Sequence, residues 1–424
     1  MLPFLQSLKI NNLLSFGPDS PAMEFGPLNV IIGPNGSGKS NLFDVLALLK
    51  NAPGKFDQPI IDSGCPLSEW FWKGEASNTT ARIELNTSLR HIISFCGDDE
   101  NRRITIIDEW IGPTSLVKDQ LEERSPFFFY GRHGDEFSAL RKMSIEPKEV
   151  AEARIKQQEQ EIEEKGITKY IVVQSAGIGS LFPDENKEKY PNYSALSRFG
   201  GIEEFSALSY LSDLYQKIHL YNNWTSGRKS PLRFPQNAYH PDKWLNEDGS
   251  NFYIVLKKIK EDKESHSRYL EFLKQLYENV DDYEIVQLDH LISIRLIEGE
   301  NRIPAARLSD GTLRYLMLLA VLCDPEPPPL ICIEEPEMGL HPDLIMVMGD
   351  ALKYAAERTQ VIVTTHSVRL VDCFNDSPQV IQVCEKHDGS TIIERLDPEY
   401  LKPWLEKYRL GELWTSGEIG GNRW

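Results

Sequence analysis

The residues best suited to chemistry form a glycine-rich segment near the start of the chain, Gly33-Pro34-Asn35-Gly36-Ser37-Gly38-Lys39-Ser40. This segment fits the phosphate-loop pattern G-x-x-x-x-G-K-[ST] at every fixed position. Its glycines can adopt backbone angles that turn successive N–H groups onto a phosphate. Lys39 would reach the β- and γ-phosphates of a nucleotide, and the Ser40 hydroxyl would hold Mg²⁺. The alternative is a glycine turn without a ligand.

The neighbouring elements decide between these two interpretations. An apolar run at 28–32 precedes the segment and predicts a buried strand in the middle of a sheet. A helical pattern follows from Asn41, and such a helix would direct its positive end at a bound phosphate. Strand, glycine-rich loop and helix together predict ATP binding by residues 33–40, with Asn41 included in the phosphate-binding set.

A pair of carboxylates follows a second apolar run, Leu330 to Ile333. At the carboxyl edge of a sheet, beside the phosphate loop, Glu334 would hold Mg²⁺ directly or through a water molecule. Glu335 would orient and deprotonate the water that attacks the γ-phosphate. The alternative is an exposed acidic turn in an acidic chain.

Two further segments of the sequence could contact the phosphates of a nucleotide. Ser309-Asp310-Gly311 precedes an apolar helical pattern at 312–322, where Ser309 is a good N-cap and the helix start offers free N–H groups to an anion. His366 ends a third apolar run at 360–365 and could contact the γ-phosphate or the attacking water. The alternatives are a capped core helix and a structural histidine.

Composition places the chain among soluble globular proteins. It has 424 residues, of which 41% are hydrophobic and 26% charged, and no apolar run approaches the roughly 20 residues that span a bilayer. The formal net charge of −18 argues against a generally basic nucleic-acid coat, although a local basic groove is compatible with it. The N-terminus lacks a signal-peptide pattern, and the six scattered cysteines favour buried free thiols. We therefore expect a cytoplasmic protein without membrane contact.

Strands alternating with helices predict an α/β fold with a doubly wound sheet. We expect an N-terminal core lobe with the phosphate loop at 1–115, a mainly helical insertion at 116–280, and a C-terminal core lobe at 281–424 that carries the remaining motifs. Short antiparallel strands are expected at 81–85, 91–95 and 103–110, and an exposed helix at 146–165.

The order of these motifs resembles the ABC-type ATPases of the SMC, RecF and OLD branch. Within it the chain is most similar to stand-alone prokaryotic ATPases that are often classed with the AAA family. The resemblance covers about 1–115 and 281–380 and is strongest in three strings. These are Ser-Asp-Gly-Thr-Leu-Arg at 309–314, Ile-Glu-Glu-Pro-Glu-Met-Gly-Leu-His-Pro at 333–342 and Val-Ile-Val-Thr-Thr-His-Ser at 361–367. Glu334 stands where the wider superfamily has Asp.

The resemblance implies a P-loop ABC-ATPase head, with a mixed or mainly parallel sheet flanked by helices. It makes Ser309, Asp310 and Gly311 the signature motif, which completes the nucleotide site of a partner subunit, and His366 the switch histidine. It implies a head-to-tail homodimer, or a higher homo-oligomer, that ATP closes and hydrolysis opens. Such a dimer is a two-state switch.

The branch also suggests what the switch drives. The first hypothesis is a sensor for a separate, nuclease-like effector in DNA repair or anti-phage defence, because only 44 residues follow position 380. DNA contact is supported by two basic-aromatic clusters, Arg124 with 127–130 and Arg132, and Trp224 with Arg228, Lys229 and Arg233. The alternatives are a low-turnover ATP-binding scaffold that gates a toxic partner, and a transporter motor, whose signature would read Ser-Gly-Gly-Gln.

Overall fold

The computed structural model describes residues 4–74, 80–98, 103–114, 130–133, 136–141, 171–173, 193–201, 206–222, 227–241 and 243–421. The helix expected at 146–165, the part of the first basic-aromatic cluster at 124–129, and Trp224 of the second cluster lie outside these ranges. Contacts divide the chain into two units. Unit one comprises residues 1–5, 23–43 and 218–424, and unit two comprises 6–22 and 44–217.

The secondary structure of the described residues alternates between strands and helices. The strands are β1 (Ser7–Asn11), β2 (Met23–Glu24), β3 (Leu28–Ile32), β4 (Thr80–Asn86), β5 (Leu89–Asp98), β6 (Arg103–Pro113), β7 (Tyr130–His133), β8 (Glu136–Arg141), β9 (Ile171–Val173), β10 (Ile218–Tyr221), β11 (Gln236–Asn237), β12 (Asp282–Leu288), β13 (Leu291–Glu298), β14 (Asn301–Pro304), β15 (Leu330–Glu334), β16 (Gln360–Thr364), β17 (Ile381–His387) and β18 (Ser390–Arg395). The helices are α1 (Lys39–Asn51), α2 (Gln58–Ser63), α3 (Ala195–Phe199), α4 (Ser206–Gln216), α5 (Phe252–Glu261), α6 (Lys263–Leu276), α7 (Asp310–Leu322), α8 (Leu344–Ala356), α9 (Val368–Asp372), α10 (Pro398–Leu405) and α11 (Leu410–Ser416).

Unit one is built on a six-stranded sheet in the order β10-β15-β16-β3-β17-β18. The first five strands are parallel, and β18 pairs antiparallel with β17 at the edge. Every residue of β3 and of β16 is buried, as expected for strands covered on both faces. The α/β fold with a mixed sheet flanked by helices is therefore confirmed, and β3 lies inside the sheet as its apolar run predicts.

The register of this sheet aligns the ends of three strands. Thr364 of β16 pairs with Ile31 of β3 on one side and with Glu334 of β15 on the other. Because these strands are parallel, their carboxyl ends meet at one edge of the sheet. The segments that follow them begin at Gly33, Glu335 and Thr365, and are thereby brought together.

The core of unit one joins this sheet to α5, α6, α7, α8 and α9. Ten of the thirteen residues of α7 are buried, so this helix lies inside the unit rather than on its surface. A smaller antiparallel sheet packs on the same core, with β13 between β11 and β12 and with β14 also paired to β13.

Unit two contains an antiparallel sheet in which β1, β4, β5, β6, β7, β8 and β9 pair in that order. The strands expected at 81–85, 91–95 and 103–110 are confirmed as parts of β4, β5 and β6. Burial alternates along β4, as expected for a strand with one covered face. The register between β5 and β6 shifts at Ser94 and Phe95, where a bulge interrupts the ladder.

The observed units differ from the three segments expected from sequence. Residues 218–280, expected within the insertion, belong to unit one, because β10 extends the central sheet beside β15 and α5 and α6 enter its core. Residues 44–114, expected within a core lobe, belong to unit two. The division falls inside α1. Local sequence does not reveal this arrangement, since pairing of β10 with β15 depends on residues more than a hundred positions away.

Within the described ranges, no helix combines the length and apolarity that crossing a membrane requires. Four of the six cysteines are buried and all six are free thiols, as the sequence predicts.

Gly33 supplies a test of how β3 enters the phosphate loop. Its φ is 154°, and a Cβ at this position would lie 2.2 Å from the carbonyl oxygen of Cys384 on β17. We expect Gly33→Ala to lower the free energy of unfolding by about 2–4 kcal/mol, because backbone must move to admit the methyl group. Denaturant-induced unfolding without nucleotide measures this change.

Gly26→Ala is the matched control in the same unit, because the nearest atom to its Cβ would be 3.9 Å away. It should change the free energy of unfolding by about 0.5 kcal/mol or less. Equal stability of both variants would contradict the close approach of Gly33 to β17.

Candidate nucleotide-binding site

The phosphate loop has the geometry of an anion-binding turn. Gly36 and Gly38 have φ values of 76° and 110°, which only glycine adopts readily, and the Ser37 amide donates to the Pro34 carbonyl at 3.2 Å. Asn35 and Gly36 are exposed at the tip of the loop. The loop therefore presents backbone to solvent where α1 begins.

Lys39 extends back across this loop. Its Nζ donates to the carbonyl oxygens of Gly33 at 2.8 Å and Pro34 at 3.0 Å, although the residue is only 7% exposed. Burial lowers the pKa of the Lys39 ammonium, and the nearby Cys384, Glu335 and Glu334 oppose that shift. Asn41 lies two residues further on, partly exposed in the first turn of α1.

Ser40 and Glu334 form the candidate magnesium site. The Ser40 hydroxyl donates directly to the Glu334 carboxylate, which joins the start of α1 to the end of β15. A hydroxyl and a carboxylate are hard oxygen donors of the kind that Mg²⁺ prefers. Among the described residues no cluster of three or more His, Cys, Asp or Glu side chains could hold a metal alone. An ion at this site would therefore need phosphate or water oxygens as well, which is how Mg²⁺ usually binds beside a nucleotide.

Glu335 and His366 lie next to this pair. Glu335 has a φ of 46°, unusual for a residue other than glycine, and its amide donates to the Thr364 carbonyl at 3.0 Å. The His366 Nε2 lies 3.6 Å from the Glu335 carboxylate, and both side chains are about one-third exposed. Burial lowers the pKa of the His366 imidazole, Lys39 acts in the same direction, and Glu335 opposes them. A neutral imidazole thus faces a carboxylate that is open to solvent.

Glu337 and Arg314 form hydrogen bonds to the segments that carry His366 and Glu335. The sequence analysis assigned no role to Glu337 or Arg314. The Glu337 carboxylate accepts from the Thr365 hydroxyl at 2.6 Å and from the His366 amide at 2.9 Å, while its Oε2 is buried without a hydrogen-bond partner. Arg314 on α7 donates to the Glu335 carbonyl at 2.8 Å. Two sequence features could have indicated these roles. Glu337 is the third carboxylate of the string Glu-Glu-Pro-Glu, and Arg314 ends the string Ser-Asp-Gly-Thr-Leu-Arg.

The hairpin of β17 and β18 also holds the loop. The Thr391 hydroxyl donates to the Ser37 carbonyl at 2.6 Å, and the Cys384 thiol lies 3.6 Å from the same oxygen. The Ser37 side chain is itself buried beneath the loop. No motif marks Thr391, so sequence offered no signal for this contact.

The signature turn, defined here as residues 306–311, stands apart from these groups. The Ser309 hydroxyl caps α7 by accepting from the Thr312 amide at 3.1 Å, and both Ser309 and Asp310 are exposed. A Cβ on Gly311 would lie 2.6 Å from the Gly339 carbonyl, so this position requires glycine or a shifted backbone. In the described chain, no hydrogen bond or ion pair joins Ser309, Asp310 or Gly311 to the phosphate loop. One chain thus brings together residues 33–40, Glu334, Glu335 and His366, but not the signature turn.

The environment of His366 gives a testable pKa. Because burial and Lys39 both disfavour the imidazolium, we expect its pKa to lie below the ordinary value of 6.5, so that the side chain is neutral at pH 7. Lys39→Met should raise this pKa, since it removes a nearby positive charge. An NMR titration of the imidazole, assigned with His366→Gln, measures both values.

Lys402→Met, which alters an exposed lysine on α10, is the control and should leave the His366 pKa unchanged. A wild-type pKa at or above 6.5, or no response to Lys39→Met, would contradict the observed arrangement.

Comparisons with solved structures find SMC head domains. One is the SMC head bound to the C-terminal winged-helix domain of ScpA, at 12% identity and a TM-score of 0.48, with coverage of 94% of this chain and 99% of that one. Another is the SMC head with an extended coiled coil, bound to the ScpA C-terminal domain, from Pyrococcus furiosus, at 13% identity, a TM-score of 0.48 and coverage of 96% and 99%. A third, from Thermotoga maritima, has 14% identity, a TM-score of 0.42 and coverage of 94% and 100%.

A search of curated proteins finds no match. A family model does match, over residues 28–372, which is most of the chain and includes every motif discussed above. Its description is "AAA domain, putative AbiEii toxin, Type IV TA system". The chain belongs to this family of AAA-domain ATPases.

Proposed function

We propose that the protein binds and hydrolyses ATP with Mg²⁺ and uses the cycle as a switch. The observation that carries this proposal is the alignment of three strand ends in unit one. It places Lys39, Ser40, Glu334, Glu335 and His366 beside one glycine-rich loop. These groups can bind phosphate and Mg²⁺ and activate a water molecule, which are parts of phosphoryl transfer to water.

Each side chain has a role that its position supports. The loop amides and the Lys39 ammonium bind the phosphates, and Ser40 with Glu334 holds the metal, which supplies charge neutralisation on the phosphate oxygens when bound. Glu335 orients the attacking water and accepts its proton. The neutral His366 imidazole hydrogen-bonds to that water or to the γ-phosphate, while Glu337 fixes the position of its backbone.

The site is completed, on this proposal, by a second copy of the chain. Ser309 and Asp310 are exposed, and among the described residues no hydrogen bond or ion pair joins them to the loop of their own chain. The start of α7 nevertheless offers the N–H groups of a helix N-terminus to an anion. In a head-to-tail homodimer this turn binds the triphosphate held by the partner. ATP then closes the dimer, and loss of the γ-phosphate opens it.

We further propose that the cytoplasmic dimer signals to a separate effector of nuclease or toxin type, in defence or repair. The family description, which names a putative AbiEii toxin of a toxin–antitoxin system, supports a role in defence. Direct DNA binding has less support, because Arg233 of the second basic cluster is bound to the signature turn instead of lying free. A scaffold that binds ATP without turnover is the competing function.

Glu335→Gln separates hydrolysis from binding. We expect it to lower ATP turnover about 10²- to 10⁴-fold, because it removes the general base but keeps the shape of the side chain. ATP binding should persist, and dimers should accumulate with ATP and magnesium. Phosphate release and sedimentation velocity measure the two effects.

Two controls accompany this variant. Lys39→Ala should abolish both tight ATP binding and ATP-dependent dimers, and Glu394→Gln, an exposed carboxylate on β18, should behave as wild type. Unchanged turnover in Glu335→Gln would favour the scaffold, and a monomer at every nucleotide condition would exclude the dimeric switch.

A further inference from the structure

Arg233 makes an unusual set of hydrogen bonds at the end of a short 3-10 helix, Pro231–Arg233. Its side chain is only 14% exposed, so its charge must be satisfied within the protein. The guanidinium donates to the carbonyl oxygens of Leu308 at 2.7 Å and Ala306 at 3.2 Å, and to the Asp310 carboxylate at 2.5 Å. Its Nε donates to the Gly227 carbonyl at 3.0 Å. Three of its four acceptors therefore belong to the signature turn.

These bonds fix the turn on both sides of Ser309. The Leu308 carbonyl precedes that serine and the Asp310 side chain follows it, so one planar guanidinium holds the two residues that flank the N-cap of α7. The fork of an arginine imposes a fixed geometry on such acceptors, which a lysine cannot reproduce. The orientation of the Ser309 hydroxyl and of the first N–H groups of α7 thus depends on Arg233.

The same contact removes an electrostatic conflict. A free carboxylate at Asp310 would repel a triphosphate that approaches the start of α7. Arg233 pairs with that carboxylate and lowers its pKa. The ion pair has no net charge, so it does not repel an incoming triphosphate. The positive end of the α7 helix dipole can then attract the phosphate.

We propose that Arg233 is a positioning residue for the signature turn, and that it acts on the nucleotide held by the partner copy rather than on the nucleotide bound to its own loop. This inference rests on the proposed dimeric function. It also gives Arg233 a different role from the nucleic-acid contact that its sequence context suggested.

The first experiment measures ATP binding and ATP-dependent dimers in the same variant. In a Glu335→Gln background, Arg233→Ala should leave the affinity of the monomer for a fluorescent ATP analogue within about twofold, because residues 33–40 are intact. ATP-dependent dimerisation should weaken roughly 10- to 100-fold, the size expected for losing hydrogen bonds to a charged group. Arg233→Lys should recover only part of it, and Arg228→Ala, an exposed arginine nearby, should have no effect.

Arg233→Gln is the second variant, because it leaves the Asp310 carboxylate without its cation while the amide can still donate to the carbonyl oxygen of Leu308 or Ala306. It should weaken dimerisation in the same way but less, and it keeps the proposal testable if Arg233→Ala does not fold. Full dimerisation by both variants, or complete recovery in Arg233→Lys, would overturn the proposal.

The second experiment mixes two variants to decide whether Arg233 affects the nucleotide bound to its own phosphate loop or the one bound to the loop of the partner copy. Lys39→Ala has a defective phosphate loop and an intact signature turn. Arg233→Ala has an intact phosphate loop and a defective signature turn. Their heterodimer contains one site in which both halves are intact. An equal mixture should therefore recover up to about a quarter of wild-type turnover, if the two sites act independently.

Ser309→Ala mixed with Lys39→Ala tests the dimeric site itself. Recovery in that mixture without recovery from Arg233→Ala would overturn the role of Arg233 alone. Failure of both mixtures would overturn the shared site, and the Arg233 proposal with it. Recovery in both mixtures supports the action of Arg233 across the dimer.

Discussion

The pairing of β16 with β3 and β15 is the constraint on which the site depends. Thr364 is in register with Ile31 and with Glu334, so the three chain segments leave the sheet at one edge. Every residue of β3 and β16 is buried, and the Asn29 side chain of β3 donates to the Val361 carbonyl of β16 at 3.2 Å, which ties the two strands together. Pairing and burial of these strands thus fix the relative positions of a lysine, a hydroxyl, two carboxylates and an imidazole. The Ser40–Glu334 hydrogen bond then joins the two sides of the candidate metal site.

The signature turn obeys a different constraint. It begins a helix of which ten of thirteen residues are buried, while Ser309 and Asp310 at the start of that helix are exposed. Arg233 holds it by hydrogen bonds from within the same chain, the Gly339 carbonyl lies close to Gly311, and Arg314 connects the helix to the Glu335 carbonyl. A turn that a buried arginine holds in place, and that exposes a helix N-terminus, is suited to form half of an anion site. On the proposed function, the second half comes from another copy, and the bound nucleotide supplies the free energy that joins them.

Much of the central sheet could be predicted from sequence, because short apolar runs at 28–32, 330–333 and 360–364 are local signals. The motif residues could be placed at strand ends for the same reason. Strands β10, β17 and β18 could not be predicted in this way, because each forms only by pairing with a strand that is distant in the chain. The contacts of Thr391 with Ser37 and of Arg233 with Asp310 likewise join distant positions that no local pattern relates. The limits of the two units depend on these long-range contacts.

The central claim is that the loop of one chain and the signature turn of another bind one triphosphate between them. The most direct test is an experimental structure of the Glu335→Gln protein with ATP and magnesium. We predict that the γ-phosphate lies between Lys39 of one copy and Ser309 of its partner. A nucleotide enclosed by a single chain, with both Ser309 side chains facing solvent, would contradict this account.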